Sequence, residues 1–237
     1  MCPIDWELIG NENEKLVILI VTALLAVPGF AQIEPVYTSS NGKATFDVLG
    51  HLGYGYHITK SNDFKPSWCD EFFVNLLKFG VFPTENFGFE LGVDLQVNDF
   101  NSREKAFVQH DGLIKSVDFS TLELLGGVDK KRSDFTLVSL GAPLLVKAKF
   151  EKVGFGVGAV ASWNFAGSTS YWAEKGNRNI TVNETKAKVN PFSYGIVATA
   201  SYGAFGVYFK YYPKSSRILP EGSVDVSYST IGIVLGL

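Results

Sequence analysis

Three histidines are the residues of this 237-residue chain that most invite a search for catalytic or metal-binding chemistry. His110 is followed by Asp111, and a histidine beside a carboxylate can activate water, but catalysis requires defined positions around a substrate. His51 and His57 are separated by about 20 Å of extended strand, so they cannot share a metal without other ligands. The sequence has no Cys/His cluster with zinc spacing and no glycine-rich phosphate loop. We therefore predict no catalytic residue, no metal and no cofactor, and that the protein is not an enzyme.

Four charged residues lie inside otherwise apolar stretches of the sequence. Glu90 and Asp94 have the same parity, as do Lys147 and Lys149, so each pair lies on one face of an extended strand. An unpaired charge on a face that is turned away from water is costly, and opposite charges there are expected to pair. We predict that Glu90 and Asp94 form a closed network with Lys147 and Lys149.

The strands that would hold these charges show a regular alternation of residue types. From Phe87 to Asn98 every second residue is large and apolar, and the residues between are small, polar or charged. Such a strand has one apolar and one polar face. About 9–11 residues of a tilted strand are enough to cross a bilayer. Similar runs predict eight strands, at 43–58, 71–82, 87–98, 135–150, 155–165, 192–202, 205–212 and 223–237.

The segments between these strands alternate between short and long. Short turns are predicted near 83–86, 151–154 and 203–204, and long polar loops near 59–70, 99–134, 166–190 and 213–222. A weaker alternation at 117–125 predicts an extra hairpin with the start of the fourth strand. Short turns at one rim and long loops at the other are typical of outer-membrane barrels with an apolar exterior and a polar lumen. We predict an all-β, eight-stranded antiparallel up-and-down transmembrane β-barrel. Since side chains can fill so narrow a barrel, we expect a filled lumen in preference to a general porin or an ion pathway.

The first 31 residues differ from the rest of the chain. Leu16–Val27 is an apolar run, and small residues follow it at Gly29 and Ala31. This length and ending are typical of a signal peptide, so we predict cleavage after Ala31; an anchor helix is the alternative. The acidic residues before Lys15 are unusual for a signal peptide. They indicate that the true translation start lies after Met1, nearer to Lys15. We divide the chain into a signal peptide at 1–31, a periplasmic lead-in at 32–42 and an outer-membrane barrel at 43–237.

Charge and cysteine content narrow the class of protein further. Removal of residues 1–31 leaves equal numbers of acidic and basic residues. A neutral chain argues against general nucleic-acid binding, which needs an excess of Lys and Arg. Cys2 would leave with the signal peptide, so we expect Cys69 to have no disulfide partner.

The end of the chain carries a pattern that is related to membrane insertion. The pattern consists of Thr230, Gly232, Leu235 and Leu237. Their order and spacing resemble the C-terminal assembly signal of outer-membrane barrels, in which the last residue is usually aromatic. Together with the strand count and loop asymmetry, this ending resembles the OmpA/OmpX-like eight-stranded barrels, in particular the small "outer membrane protein beta-barrel" family that includes PorT-like proteins. The resemblance covers residues 43–237 and implies recognition by the outer-membrane insertion machinery.

The resemblance is architectural and leaves several functions open. The leading expectation is a bacterial outer-membrane barrel with a structural or surface-interaction role. Its long loops would be extracellular, its termini periplasmic, and its partners outer-membrane lipid and an external or envelope protein. The first alternative is a narrow transport or secretion-accessory barrel, which the PorT-like resemblance implies. The second is a membrane-embedded hydrolase that uses His110 or Asp111.

Overall fold

The computed structural model describes residues 37–39, 42–122, 130–175 and 178–236, and the predicted signal peptide lies outside these ranges. The described residues form twelve strands and one turn of 3-10 helix at Phe119–Thr121. The strands are β1 (Tyr37–Ser39), β2 (Gly42–Lys60), β3 (Asp70–Phe82), β4 (Phe87–Ser102), β5 (Lys105–His110), β6 (Leu113–Asp118), β7 (Lys130–Phe150), β8 (Val153–Lys175), β9 (Arg178–Thr185), β10 (Phe192–Tyr202), β11 (Phe205–Tyr211) and β12 (Ser227–Gly236). Among these residues, no helix has both the length and the apolar character needed to cross a bilayer.

Eight of the described strands close into a barrel. Antiparallel pairing runs from β2 through β3, β4, β7, β8, β10, β11 and β12, and β12 pairs back with β2. A closed ladder gives every strand two hydrogen-bonded neighbours, which is what a sheet needs in lipid, where water cannot satisfy backbone groups. The predicted eight-stranded antiparallel up-and-down β-barrel is therefore confirmed.

The outer face of the barrel is apolar, because alternate residues of each strand point away from the lumen. On β10, the side chains of Phe192, Tyr194 and Ile196 are more than half exposed, whereas the residues between them are buried. Exposed apolar residues of the same kind occur on all eight barrel strands. Soluble monomers rarely expose an apolar surface of this extent, whereas a lipid-facing barrel requires one.

Exposed aromatic residues gather at both rims of this apolar belt. At the rim of short turns, the rings of Phe87 and Phe150 meet edge-on with centroids 6.2 Å apart. At the rim of long loops, Tyr56 and Trp68 meet with centroids 5.3 Å apart. Two aromatic girdles of this kind mark the membrane interfaces of transmembrane barrels.

Three strands continue beyond the rim of long loops. β10 pairs with β8 only as far as Trp163, but β8 runs on to Lys175 between β7 and β9. We call residues 130–134, 167–175 and 178–185 the arm. The sequence did not predict the arm, because it lies outside the lipid and does not need the alternation that marks the spanning strands.

The extra hairpin is present but lies closer to the N-terminus than predicted. β5 and β6 form an antiparallel pair, in which Lys105 lies opposite Asp118 at one end and His110 lies opposite Leu113 at the other. Asp111 and Gly112 form the two-residue turn with φ angles of 55° and 77°. Two successive positive φ angles are typical of the type I′ hairpin turn, for which Asp-Gly is a favoured pair. The prediction that 117–125 pairs with the start of the fourth strand was therefore wrong for residues 117–122; residues 123–125 lie outside the described ranges.

Candidate functional site

The lumen at the long-loop end of the barrel is filled by apolar and aromatic side chains. The rings of Phe100 and Phe135 stack with centroids 5.8 Å apart, and Tyr228 meets Phe100 edge-on at 5.1 Å. All three side chains are buried. We call the cluster that surrounds them the seal; it comprises Phe64, Phe100, Phe107, Ile114, Phe135, Leu137, Tyr212, Ile218, Leu219, Val224 and Tyr228. Close packing of buried side chains excludes water from the lumen at this level.

The β5–β6 hairpin is bonded to the arm above the seal. The backbone N–H of Phe107 donates to Oγ of Ser133 on β7 at 2.9 Å. The backbone N–H of Gln109 donates to the carboxylate of Glu184 on β9 at 2.7 Å. These bonds cross long stretches of sequence, so they fix the hairpin against the barrel and not only against its own neighbours.

The same hairpin also holds two of the long loops. The backbone N–H of Val224, in the loop before β12, donates to the carbonyl of Ile114 at 2.9 Å. The backbone N–H of Lys188, in the segment before β10, donates to the carbonyl of Gly112 at 3.0 Å. We call the hairpin and the loops at 61–69, 186–191 and 212–226 the cap. Because buried backbone groups are paired across it, the cap is a folded unit, and its inward-facing side chains form part of the seal.

Below the seal, the structure brings together two of the four residues predicted to form the charged network. Lys147 Nζ lies 3.3 Å from Glu90 Oε1, and both side chains are largely buried. Asp94 accepts a hydrogen bond of 2.7 Å from the amide of Asn75. Lys149 is exposed and lines the polar hollow at the rim of short turns.

Two further ion pairs, which the sequence analysis did not identify, line the lumen. Lys78 Nζ lies 2.9 Å from Asp47 Oδ2. Deeper in the lumen, Lys210 forms a buried ion pair with Glu71, which also accepts a hydrogen bond of 3.3 Å from the hydroxyl of Tyr208. Lys78 and Asp47 lie opposite each other on the neighbouring strands β3 and β2, whereas Lys210 and Glu71 join non-neighbouring strands across the interior. Each pair stabilises the closed barrel only while both partners are present.

The sequence did not identify Glu71, because the set of residues of β3 that face the lumen changes parity along the strand. The register of β3 against β4 shifts between Asn75 and Leu77, where β3 carries one extra residue. Such a bulge moves every later side chain to the opposite parity. Before the bulge the inward-facing residues have odd numbers (71, 73 and 75), and after it they have even numbers (Lys78 and Gly80). A register shift cannot be located from alternation when both halves of the run are apolar.

A cavity of about 180 Å³ lies in the lumen below the seal. Its lining includes the charged residues Glu90, Asp94, Lys147 and Lys210 and extends to the short turn at Gly203. A second polar hollow of about 500 Å³ lies at that rim. The lumen is thus polar and accessible toward the short turns, and apolar and filled toward the long loops.

The three histidines have structural surroundings. His51 meets the ring of Phe73 edge-on with centroids 5.8 Å apart. The ring of His57 stacks on Phe100 with centroids 5.0 Å apart, and its Nδ1 lies 2.9 Å from the Thr230 hydroxyl. His110 and Asp111 lie 3.2 Å apart, with both side chains highly exposed at the hairpin turn. Among the described residues, no group of three or more His, Cys, Asp or Glu side chains has an arrangement that suits a metal ion. The His110–Asp111 adjacency is accounted for by the turn.

The residues of the predicted assembly signal lie on β12, except for Leu237, which is outside the described residues. Thr230 is fully buried beside His57, and Leu235 is 40% exposed on the lipid face. At Gly232, a Cβ atom would lie 2.5 Å from the ring of Tyr208, so this position needs glycine for packing. Recognition of these residues by the insertion machinery remains a prediction.

Comparisons with known proteins find low similarity. No protein-family model matches the chain, and no curated protein matches it. Among solved structures, Ail, the attachment invasion locus protein of Yersinia pestis, is similar in complex with the heparin analogue sucrose octasulfate, with 12% identity, a TM-score of 0.38, and 83% of this chain and 99% of that chain covered. A second structure of Ail has 13% identity and a TM-score of 0.34 over the same shares.

A mutant porin of Rh. blastica has 8% identity and a TM-score of 0.19, with 82% of this chain and 100% of that chain covered. The assignment of the fold rests on the closed strand order, the apolar belt and the aromatic girdles of this chain itself. These features make the chain an outer-membrane β-barrel protein.

Proposed function

We propose that this protein is a non-enzymatic surface-interaction barrel of the bacterial outer membrane, and not a general porin. In this proposal the long loops are extracellular, and the short turns and both termini face the periplasm. The observation that carries the proposal is the seal beneath a folded cap. Phe100 and Phe135 occupy the lumen where an open channel would need water.

The charges of the lumen support the same proposal. A porin lumen holds water and leaves charged side chains free to act on passing solutes. Here Lys147 is paired with Glu90 and Lys210 with Glu71, so these charges bind one another and are not free to act on solutes. Paired charges in a narrow barrel serve its internal packing.

The cap supports an interaction role because it is already folded. The bond from Gln109 to Glu184 and the bond from Val224 to Ile114 hold the hairpin, the arm and a long loop in one arrangement. A surface that is ordered before a partner arrives avoids much of the entropy loss of binding. Loops that only shielded the lumen would not need an arm that extends beyond it.

This proposal is tested by separating the cap from the lumen in intact cells. One variant replaces the tip of the hairpin, Gln109–Leu113, with a Gly/Ser linker of the same length, which leaves Phe107 and Ile114 of the seal in place. The matched control combines Glu90→Gln with Lys147→Met in the lumen. The readouts are adhesion of the cells and cross-linking to envelope or external proteins, at equal amounts of inserted barrel. We expect the linker variant to lose both and the lumenal control to keep both. Retention by the linker variant would contradict the proposal.

A narrow transport or secretion-accessory role is the second candidate, because the lumenal cavity reaches the rim of short turns at Gly203. That role requires a path through the seal in at least one state. It predicts that the lumenal control changes secretion or solute uptake while the linker variant does not. Co-purification with secretion components would favour it.

A further inference from the structure

The interior around the cavity below the seal contains one carboxylate more than its lysines neutralise. Each lysine that lines this cavity has a carboxylate of its own: Lys78 with Asp47, Lys147 with Glu90, and Lys210 with Glu71. Asp94 is the fourth carboxylate, and its side chain is buried. None of the ion pairs formed within the described part of the chain includes Asp94. Lys210 attracts Asp94 as well as Glu71, so two buried carboxylates share one lysine. This arrangement is costly unless something else supplies a further positive charge.

Asn75, beside Asp94, has an unpartnered acceptor. Its Nδ2 donates to Asp94 Oδ1 at 2.7 Å and to the carbonyl of Leu77 at 3.1 Å. Both partners are acceptors, so the amide cannot be turned around without losing both bonds. Its Oδ1 is therefore directed away from them, and it is buried with no hydrogen-bond partner. The residue as a whole is only 1% exposed.

Both acceptors lie at the same cavity. Asp94 and Asn75 line the space of about 180 Å³ that reaches the short turn at Gly203. Water occupies about 30 Å³ per molecule in the liquid, so this space has room for a small organic group. The seal blocks entry from the long loops, so a ligand enters from the short turns.

We propose that this cavity binds a small primary ammonium ligand, whose N–H groups bridge the Asp94 carboxylate and Asn75 Oδ1. An ammonium group carries three donors and the second positive charge that Glu71 and Asp94, which share Lys210, lack, whereas water supplies donors without charge. The inference concerns the lumen alone and does not depend on the surface role of the cap. Its failure would leave that role untouched.

The test is a titration of the intact barrel in non-ionic detergent, with the urea concentration at half-unfolding as the readout. Urea is used because guanidinium is itself a cation with N–H donors and would compete. Propylammonium chloride should raise the midpoint saturably, since a ligand that binds only the folded state stabilises it. Tetramethylammonium chloride has the same charge and no N–H donor, and it should leave the midpoint unchanged.

Three variants locate the effect. Asp94→Asn should weaken propylammonium binding by about tenfold or more, because it removes the charge from the hydrogen-bonded acceptor. Asp118→Asn makes the same change in charge on the exposed hairpin and should keep the wild-type response. Gly50→Ala places a methyl group 3.2 Å from Asn75 Oδ1 and should also weaken binding, which keeps the test valid if Asp94→Asn does not fold.

Each remaining outcome would overturn the proposal. If propylammonium does not shift the wild-type midpoint, the cavity holds water only. If both ammonium salts shift it equally, the effect is one of ionic strength. If Asp94→Asn and Gly50→Ala respond like the wild type, the ligand binds elsewhere.

Discussion

The ion pair between Lys210 and Glu71 shows how a single residue can control the stability of the barrel. Both side chains are almost completely buried, and Lys210 also lies over the ring of Phe73 at 4.4 Å from its centroid. By contrast, the ion pair between Lys65 and Glu104 is mostly exposed. The same pairing of charges therefore has different energetic weight at the two places, because water screens only the second.

Replacement of Lys210 by methionine leaves the Glu71 carboxylate buried without a counter-charge. We expect Lys210→Met to lower the free energy of unfolding by about 3–5 kcal/mol, measured by urea unfolding in detergent micelles. The added change Glu71→Gln should recover much of the loss. Lys65→Met is the matched control and should change stability little; equal losses in the two single variants would contradict the account.

Cys69 gives the barrel a pH dependence in the alkaline range. Burial raises the pKa of the Cys69 thiol, while the backbone N–H of Asn101, 3.3 Å from Sγ, opposes this rise. In the unfolded chain the Cys69 thiol ionises at about pH 8.5, and in the folded chain it ionises only at higher pH. The stability due to this group is thus complete below that pH and is lost as the pH rises through the folded value.

We therefore expect the free energy of unfolding of the wild type to fall relative to Cys69→Ala between about pH 7.5 and about pH 9.5. Urea unfolding of both proteins across this range measures the difference. Other titrating groups cancel in the comparison. Parallel curves for the two proteins would show that Cys69 does not ionise on unfolding in the way described.

At the scale of elements, the hairpin determines whether the cap stays closed. Phe107 and Val108 are adjacent on β5, but Phe107 is fully buried in the seal and Val108 is only half-buried. Phe107→Ala should lower the free energy of opening of the cap by about 3–5 kcal/mol, and Val108→Ala by much less. Hydrogen exchange of the Ile114 amide measures this opening. Similar exchange rates in the two variants would be inconsistent with a cap that is anchored by Phe107.

The spanning strands could be predicted from sequence because lipid outside and polar side chains inside impose a strict alternation. β4 and β10 show this pattern in full, and both begin at the predicted residue. β3 does not show a continuous alternation, because the bulge after Asn75 moves its inward-facing residues from odd to even numbers. The arm and the hairpin lie in water, where packing between distant segments decides the structure and local alternation is not required.

The candidate site was predictable only in part for the same reason. Glu90 and Lys147 lie on strands that are close in the predicted order, so their pairing followed from the alternation. The partner of Lys210 could not be found, because Glu71 lies before the bulge. Which carboxylate remains unpaired depends on distances across the lumen, and a sequence pattern does not contain them.

At the scale of the whole molecule, the asymmetry of its two ends allows the proposed orientation to be tested. Single cysteines are introduced at Asp118 in the cap or at Glu85 in a short turn, in a chain with Cys2→Ala and Cys69→Ala. We expect a membrane-impermeant maleimide to label Asp118→Cys in intact cells and Glu85→Cys only after the outer membrane is permeabilised. The reverse pattern would mean that the short turns face outward.

Ion conductance through the intact barrel shows whether its lumen is closed. The wild-type protein is inserted into a planar lipid bilayer, with a general porin that is prepared in the same way as the positive control. Because the seal packs buried side chains into the lumen, we expect a current trace without stable open steps while the porin control conducts. A large and stable single-channel conductance of the wild type would contradict a closed lumen.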